Sequence, residues 1–216
     1  MRKALCSIGS GPHEALIAIS EPTFRAFAER HGYDVITSSA THPDRPPAWA
    51  KVPLIRDALD DYDLVLWIDA DAVIVDDSED IADALDPDTQ FALVRHRRDD
   101  ELIPNTGVMV WRAGEFARDL LDAAWNRSRY IDHPWWENAA LLDVLGYQVP
   151  RFNRTDRILR RRLRATRPTP GVEFLPGEWN WTYLDRSENP RIIHCLAVPV
   201  EQRLRDMQAA LAGTLR

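Results

Sequence analysis

Five apolar residues, Leu64-Val65-Leu66-Trp67-Ile68, end abruptly in Asp69-Ala70-Asp71. An unbroken apolar run of this length reads as a strand covered on both faces, as in the middle of a parallel sheet. Such a strand needs helices above and below it, which commits the chain to an α/β arrangement. It also carries its last residues to the edge where ligands collect in open α/β sheets.

The flanking sequence repeats the alternation. Ala4–Ile8 reads as a first strand. Pro22 to Arg30 reads as a helix with Phe24, Phe27 and Ala28 on one stripe, started by Pro22 and stopped by Gly32. Tyr33–Thr37 is a second strand, followed by the loop TSSATHPDRPP and a helix over Ala48–Leu59 distorted at Pro53. Beyond the two carboxylates, Val73–Val75 is short and extended, and Ser78 is placed to cap a helix over Glu79–Leu85. Phe91–Arg95 and Val108–Trp111 read as strands separated by a polar loop, HRRDDELIPNTG. Helices are expected over Glu115–Trp125, Trp135–Leu145 (ended by Gly146) and Val200–Ala212. Short strands are expected at Tyr147–Val149, Val172–Leu175 and Arg191–Cys195. The order predicts an α/β sandwich with a mostly parallel central sheet, and 216 residues suit a single domain spanning 1–216.

Composition excludes some roles. A net charge of −7 argues against a nucleic-acid binder. No apolar run reaches the ~18 residues of a membrane span, and the N-terminus lacks the apolar core of a secretory signal. Two cysteines, Cys6 and Cys195, do not make a disulfide framework, so a cytoplasmic setting is expected. Lys3 and Lys51 are the only lysines in an Arg-rich, Ala- and Asp-rich chain, a composition that points to a bacterial source.

Residues i and i+2 of an extended chain point to the same side, so Asp69 and Asp71 crowd together. At ~4 Å two carboxylates repel by roughly 4 kcal/mol at an effective dielectric of about 20. A shared proton relieves that. So does a bound cation, and hard oxygen ligands suit Mg²⁺ or Mn²⁺, which commonly bridge to substrate phosphates. A solvated turn that happens to hold two aspartates is the plain alternative. Phosphatases of the haloacid-dehalogenase type also place D-x-D after an apolar strand, though there the strand opens the domain.

Several segments, in order, resemble glycosyltransferases of the GT-A fold, most closely the retaining family 34 of galactosyl-, xylosyl- and mannosyltransferases. These are FAERHGYDV (27–35), WAKVPLIRDAL (49–59), LWIDADAVIVD (66–76), NTGVMVWR (105–112), DAAW (122–125), WENAAL (136–141) and RIIHCLA (191–197). The resemblance implies a Rossmann-like α/β/α sandwich, a nucleotide-diphosphate sugar donor (UDP- or GDP-linked) and a divalent cation, usually Mn²⁺. By the same resemblance, Asp69, Asp71 and His194 are the metal ligands, with Asp69 also facing the ribose. Lys51 contacts phosphate or donor sugar, and Ser7, Ile8 and Gly9 hold base and ribose. By the same resemblance Asn105 and Gly107 are expected near the donor sugar or the acceptor mouth, Glu137 at the sugar hydroxyls, and Asn138 beside the anomeric carbon. The family tends to carry two acidic residues before a Gln where this chain reads Trp136-Glu137-Asn138. Transfer is expected with retention, the departing phosphate taking the acceptor's proton. The acceptor hydroxyl is open between glycan, lipid, peptide and small molecule. A nucleotide-sugar binder that keeps the fold without catalysis is the alternative from another class.

Two features stand outside that set. Trp135, Trp136, Trp179 and Trp181 are candidate platforms for sugar faces as well as ordinary core residues. Eight arginines fall between Arg151 and Arg167. They read either as a solvated helix face or as a contact for an anionic acceptor or membrane surface through Arg157–Arg167.

Overall fold

The structure is a computed structural model that describes every residue except 99–100, 151, 154–157, 160–163, 166–168 and 216. Its main strands are β1 (Lys3–Ile8), β2 (Tyr33–Ser38), β3 (Leu64–Ile68), β4 (Ala72–Ile74), β5 (Phe91–Arg98), β6 (Glu101–Arg112), β7 (Val172–Leu175) and β8 (Ile192–His194). Its helices are α1 (Glu14–His31), α2 (Lys51–Asp61), α3 (Glu115–Trp125), α4 (Trp136–Val144) and α5 (Val200–Leu211).

Six strands form the central sheet in the order β7-β5-β6-β3-β1-β2. The β1–β2, β1–β3 and β5–β7 pairings are parallel, and only β6 runs against its neighbours. The five residues of β3 are all buried, and their alternation sets the two layers. Val65 and Trp67 pack with Val52, Ile55 and Leu59 of α2, Leu120 and Leu121 of α3, and Leu141 of α4. Leu64, Leu66 and Ile68 pack on the opposite face with Phe24, Phe27 and Ala28 of α1. This is the α/β/α sandwich expected, and the stripe of Phe24, Phe27 and Ala28 forms where the spacing put it.

Several local readings are corrected. The first helix begins at Glu14, so Pro22 lies inside it. The missing Pro22 N–H costs one rung of the ladder, which the packing of Leu16, Phe24 and Phe27 offsets. Its end is as expected, with Gly32 left-handed at φ 72° and its N–H on the Ala28 carbonyl. The helix expected over Ala48–Leu59 begins as a 3₁₀ turn, Pro47–Ala50, and becomes α-helical only from Lys51, with Pro53 in the first turn of α2, where backbone N–H groups have no intrahelical partner. The helix expected over 79–85 is only a 3₁₀ turn, Ile81–Ala84, capped by Asp80 in place of Ser78. Of the polar loop expected over 96–107, the described residues 96–98 and 101–107 are instead strand, in the paired β5 and β6. There His96 faces Ile103 and Arg97 faces Leu102, beyond a register shift between Leu93 and Val94.

Within the arginine-rich run, Ile158–Leu159 pairs with Phe152–Asn153 and Arg164–Ala165 pairs with Tyr147–Gln148, so these positions are strand, not helix. The rest of that run, with most of the proposed Arg157–Arg167 contact surface, lies outside the described residues. No described helix is long and apolar enough to cross a membrane.

One small ribbon matters more than its size suggests. β4 follows directly on Asp71 and pairs antiparallel with β8, His194 opposite Ala72. The Cys195 N–H also bonds the Asp71 carbonyl at 2.8 Å. Alternation in β8 then sends His194 toward the carboxylates and Cys195 into the core with Leu16, Val73 and Met207.

Candidate active site

Asp69 sits where β3 ends, its backbone N–H held by the Gly107 carbonyl of β6 at 2.8 Å. Its Oδ1 accepts from Lys51 Nζ and from the Trp67 indole N–H, each at 2.7 Å. Its Oδ2 lies 3.8 Å from His194 Nε2. Asp71 is buried, with Oδ1 3.1 Å from His194 Nε2 and Oδ2 accepting from Arg203 Nη1 of α5 at 2.8 Å. Burial raises the Asp71 pKa, but His194 and Arg203 outweigh it and hold the group well below the usual carboxylate range.

Lys51 is not the exposed residue that a lone helix lysine suggests; it is buried. Its Nζ meets Asp69 Oδ1, Glu137 Oε1 at 2.9 Å and the Thr106 carbonyl at 3.3 Å. Burial alone lowers an ammonium's pKa, yet Asp69 and Glu137 reverse this and raise it, so Lys51 stays charged. Burial pushes Glu137 the other way, upward, against the pull of Lys51. Its Oε1 also accepts from Thr106 Oγ1 at 3.2 Å, while Oε2 is buried with no partner among the described residues.

The stretch Asn105-Thr106-Gly107 of β6 knits the two halves of the site. The Thr106 N–H donates to Asn138 Oδ1 at 3.0 Å, which fixes the amide and leaves its two N–H donors free among the described residues. Gly107 lies in a strand beneath the His194 ring. A Cβ there would stand 2.1 Å from Cε1 and 2.4 Å from Nδ1 of that ring. The sequence reading put Gly107 at the donor or acceptor mouth; its close contact is with His194.

Ser7, Ile8 and Gly9 end β1 at the same edge as Asp69, because Cys6 is level with Trp67 in the parallel pairing. The Ser7 hydroxyl is buried without a partner among the described residues. Gly9 is required by packing, since a Cβ would come 2.3 Å from Ile17 of α1. Of the tryptophans, Trp179 and Trp181 are core, while Trp136 is 44% exposed. Trp136 holds a left-handed φ of 42°, a strained conformation for so bulky a residue, directly before Glu137.

Asp69, Asp71 and His194 each offer one ligand atom, all within 4.8 Å of one another. Metal–ligand distances near 2.1 Å put neighbouring ligands about 3 Å apart and opposite ones about 4 Å apart. The 3.1 and 3.8 Å separations from His194 Nε2 are of that size, and two hard oxygens with an imidazole suit Mn²⁺ or Mg²⁺. The residues therefore fit a divalent cation. Sequence reasoning found this triad with Lys51, Glu137, Asn138 and Asn105. It missed Trp67, Thr106, Asn180 and Arg203, of which Trp67 and Thr106 carried a local signal, lying inside the D-x-D and N-T-G segments.

Residues 9–96, less than half of the chain, match the sequence model of the galactosyl transferase GMA12/MNN10 family, family 34. No curated protein matches the chain by sequence. Among solved structures, the chain is similar to a glycosyltransferase involved in the glycosylation of the major capsid of PBCV-1, at 12% identity and TM-score 0.70, over 96% of this chain and 99% of that one. It is similar to the galactosyltransferase LgtC in complex with donor and acceptor sugar analogs, at 13% identity and TM-score 0.58, over 98% and 96%. Mouse xyloside xylosyltransferase 1 is similar at 10% identity and TM-score 0.52, over 92% and 100%. The fold is thus the GT-A glycosyltransferase fold, and the sequence match up to and through the D-x-D strand is to family 34.

Proposed function

We propose that this chain moves a sugar from a nucleotide-diphosphate sugar, UDP- or GDP-linked, to an acceptor hydroxyl, with a divalent cation held by Asp69, Asp71 and His194. One observation carries the reading. Three side chains of metal-binding type, from two distant stretches of sequence, converge at the strand-end edge of a glycosyltransferase sheet.

When bound, the cation supplies positive charge against the diphosphate as it leaves. The chain's own residues do the rest. Lys51 and the Trp67 indole fix one oxygen of Asp69 and leave the other turned toward His194. Lys51 also offsets the charges of Asp69 and Glu137, so the pocket tolerates buried carboxylates. The bare Glu137 Oε2 is an acceptor suited to a donor-sugar hydroxyl, and the next residue, Asn138, adds amide N–H donors that are free among the described residues. Ser7, Ile8 and Gly9 line the nucleoside end, and Asn105 the sugar end. Retention of configuration, with the departing phosphate as proton acceptor, is the route that the family resemblance supports. Trp136 is the exposed aromatic face next to this pocket and suits a saccharide acceptor. The two buried, free cysteines are compatible with work in a reducing cytoplasm.

The test is nucleotide release from a panel of UDP- and GDP-sugars, with and without Mn²⁺. Release that requires Mn²⁺ and is lost in Asp71→Asn supports transfer. Binding without release is the behaviour of a non-catalytic binder and overturns it. Hydrolysis of aryl phosphates blocked by Asp69→Asn would return the phosphatase reading, which the fold comparisons leave without support.

A further inference from the structure

Asn180, which the sequence reading passed over, is completely buried and bonded to three separate elements. Its Oδ1 lies 3.0 Å from His194 Nδ1, and its Nδ2 lies 2.9 Å from Asn105 Oδ1. Its backbone carbonyl lies 2.6 Å from His96 Nε2, in β5.

The directions of these bonds follow from groups that cannot be reversed. The Gly107 backbone N–H can only donate, and it meets Asn105 at 2.9 Å, so the Asn105 atom there is the carbonyl oxygen. An oxygen at that position requires the Asn180 atom facing it to be the amide nitrogen. Asn180 then turns its carbonyl oxygen to His194, which makes His194 Nδ1 the protonated nitrogen. The other nitrogen, Nε2, is the one facing Asp69 and Asp71. A backbone carbonyl can only accept, so His96 donates its Nε2–H to Asn180. Burial holds the His96 pKa down to about 4, which keeps that ring neutral at physiological pH.

We infer that Asn180, oriented by Asn105 and anchored by His96, is a positioning residue that fixes His194 as the Nδ1–H tautomer and presents Nε2 to the cation. A histidine ligand needs one nitrogen bare and the ring held, and a hydrogen bond at the far nitrogen does both. Here an amide fills the place that a carboxylate or backbone carbonyl commonly takes. The consequence is a neutral second partner, so the triad gains orientation without a further negative charge. The inference rests on the reading that the triad holds a divalent cation.

Mn²⁺ affinity, measured by electron paramagnetic resonance with no donor or acceptor present, tests it independently of activity. Asn180→Ala is expected to weaken Mn²⁺ binding roughly 10- to 100-fold. Asn180→Asp keeps an acceptor at Nδ1 and, carrying a proton on the oxygen that faces Asn105 Oδ1, is expected to bind Mn²⁺ more tightly than Asn180→Ala. Unchanged affinity in Asn180→Ala overturns the inference, and so does equal weakening in both variants, which a merely structural residue gives. If wild type itself takes up no Mn²⁺, the metal reading fails first and this inference with it. A second measurement needs no Asn180 variant. In the ¹⁵N-histidine spectrum of the Zn²⁺-loaded wild-type protein, with His194 assigned by its loss in His194→Gln, Nδ1 is expected to carry the proton. An unprotonated Nδ1 overturns the inference.

Discussion

Gly107→Ala isolates one contact of the site. Gly107 lies within β6 without a left-handed φ, so alanine's backbone preference adds no strain there. The added Cβ would sit 2.1 Å from His194 Cε1, 2.4 Å from Nδ1 and 2.8 Å from Asn105 Oδ1. Restoring ordinary 3.4 Å contact displaces the ring by about 1.3 Å. A metal–ligand bond tolerates only about ±0.2 Å, so a shift of that size removes His194 from the coordination sphere. Overpacking of a single methyl costs about 1–3 kcal/mol, which a chain of this size survives as a fall in Tm of roughly 3–10 °C. The expected outcome is a folded protein whose Mn²⁺ affinity falls by about 100-fold or more, a loss larger than its modest destabilisation explains. Titration of free Mn²⁺ by electron paramagnetic resonance, beside calorimetry of the same samples, reads both quantities. Wild-type affinity in a folded Gly107→Ala protein would refute the close seat of His194 on β6 and its role as ligand.

Other consequences follow from the same geometry. Lys51→Met leaves Glu137 and Asp69 without their cation in a buried setting, at a cost of about 3–5 kcal/mol and a fall in Tm of at least about 6 °C; an unchanged calorimetric Tm would contradict the buried pair. His96, held to about 4 when folded, binds a proton more readily when unfolded, so its contribution is lost as pH falls below the ordinary histidine value. Urea unfolding should therefore show about 2 kcal/mol less stability from this group at pH 5 than at pH 7, and His96→Gln should flatten that slope. Trp136→Gly removes both the left-handed strain and the exposed ring, so Tm should rise by the equivalent of about 1 kcal/mol. In the same variant, metal-dependent donor hydrolysis should persist while transfer to saccharide acceptors weakens about 3- to 10-fold in KM. Equal transfer by wild type and variant would remove Trp136 from the acceptor side.

What the sequence revealed, and what it hid, follows from how local each signal is. The β3 run and the aspartates after it are contiguous, so the strand, its burial and the edge that carries the candidate site were all readable from one stretch. The apolar stripe of α1 was readable for the same reason, but its first two turns were masked by Pro22, whose lost hydrogen bond is offset only by packing against the sheet. The outer half of the β5–β6 pair is polar and holds Pro104; cross-strand pairing keeps it extended, and no local propensity shows that. The ion pairs of Lys51 were not legible, because its partners stand 18 and 86 positions away. Asn180 was hidden more deeply. It sits between two core tryptophans, and its purpose appears only when β6 brings Asn105 to it across 75 residues.

The central claim is a divalent cation shared by Asp69, Asp71 and His194 with the diphosphate of a nucleotide. Anomalous diffraction at the manganese edge, from crystals grown with Mn²⁺ and UDP or GDP, tests it directly. The account predicts one peak about 2.1–2.3 Å from an oxygen of each aspartate and from His194 Nε2, beside the nucleotide's phosphates at the end of β3. Bound nucleotide with no peak at those three side chains, or with the peak on other residues, would contradict it.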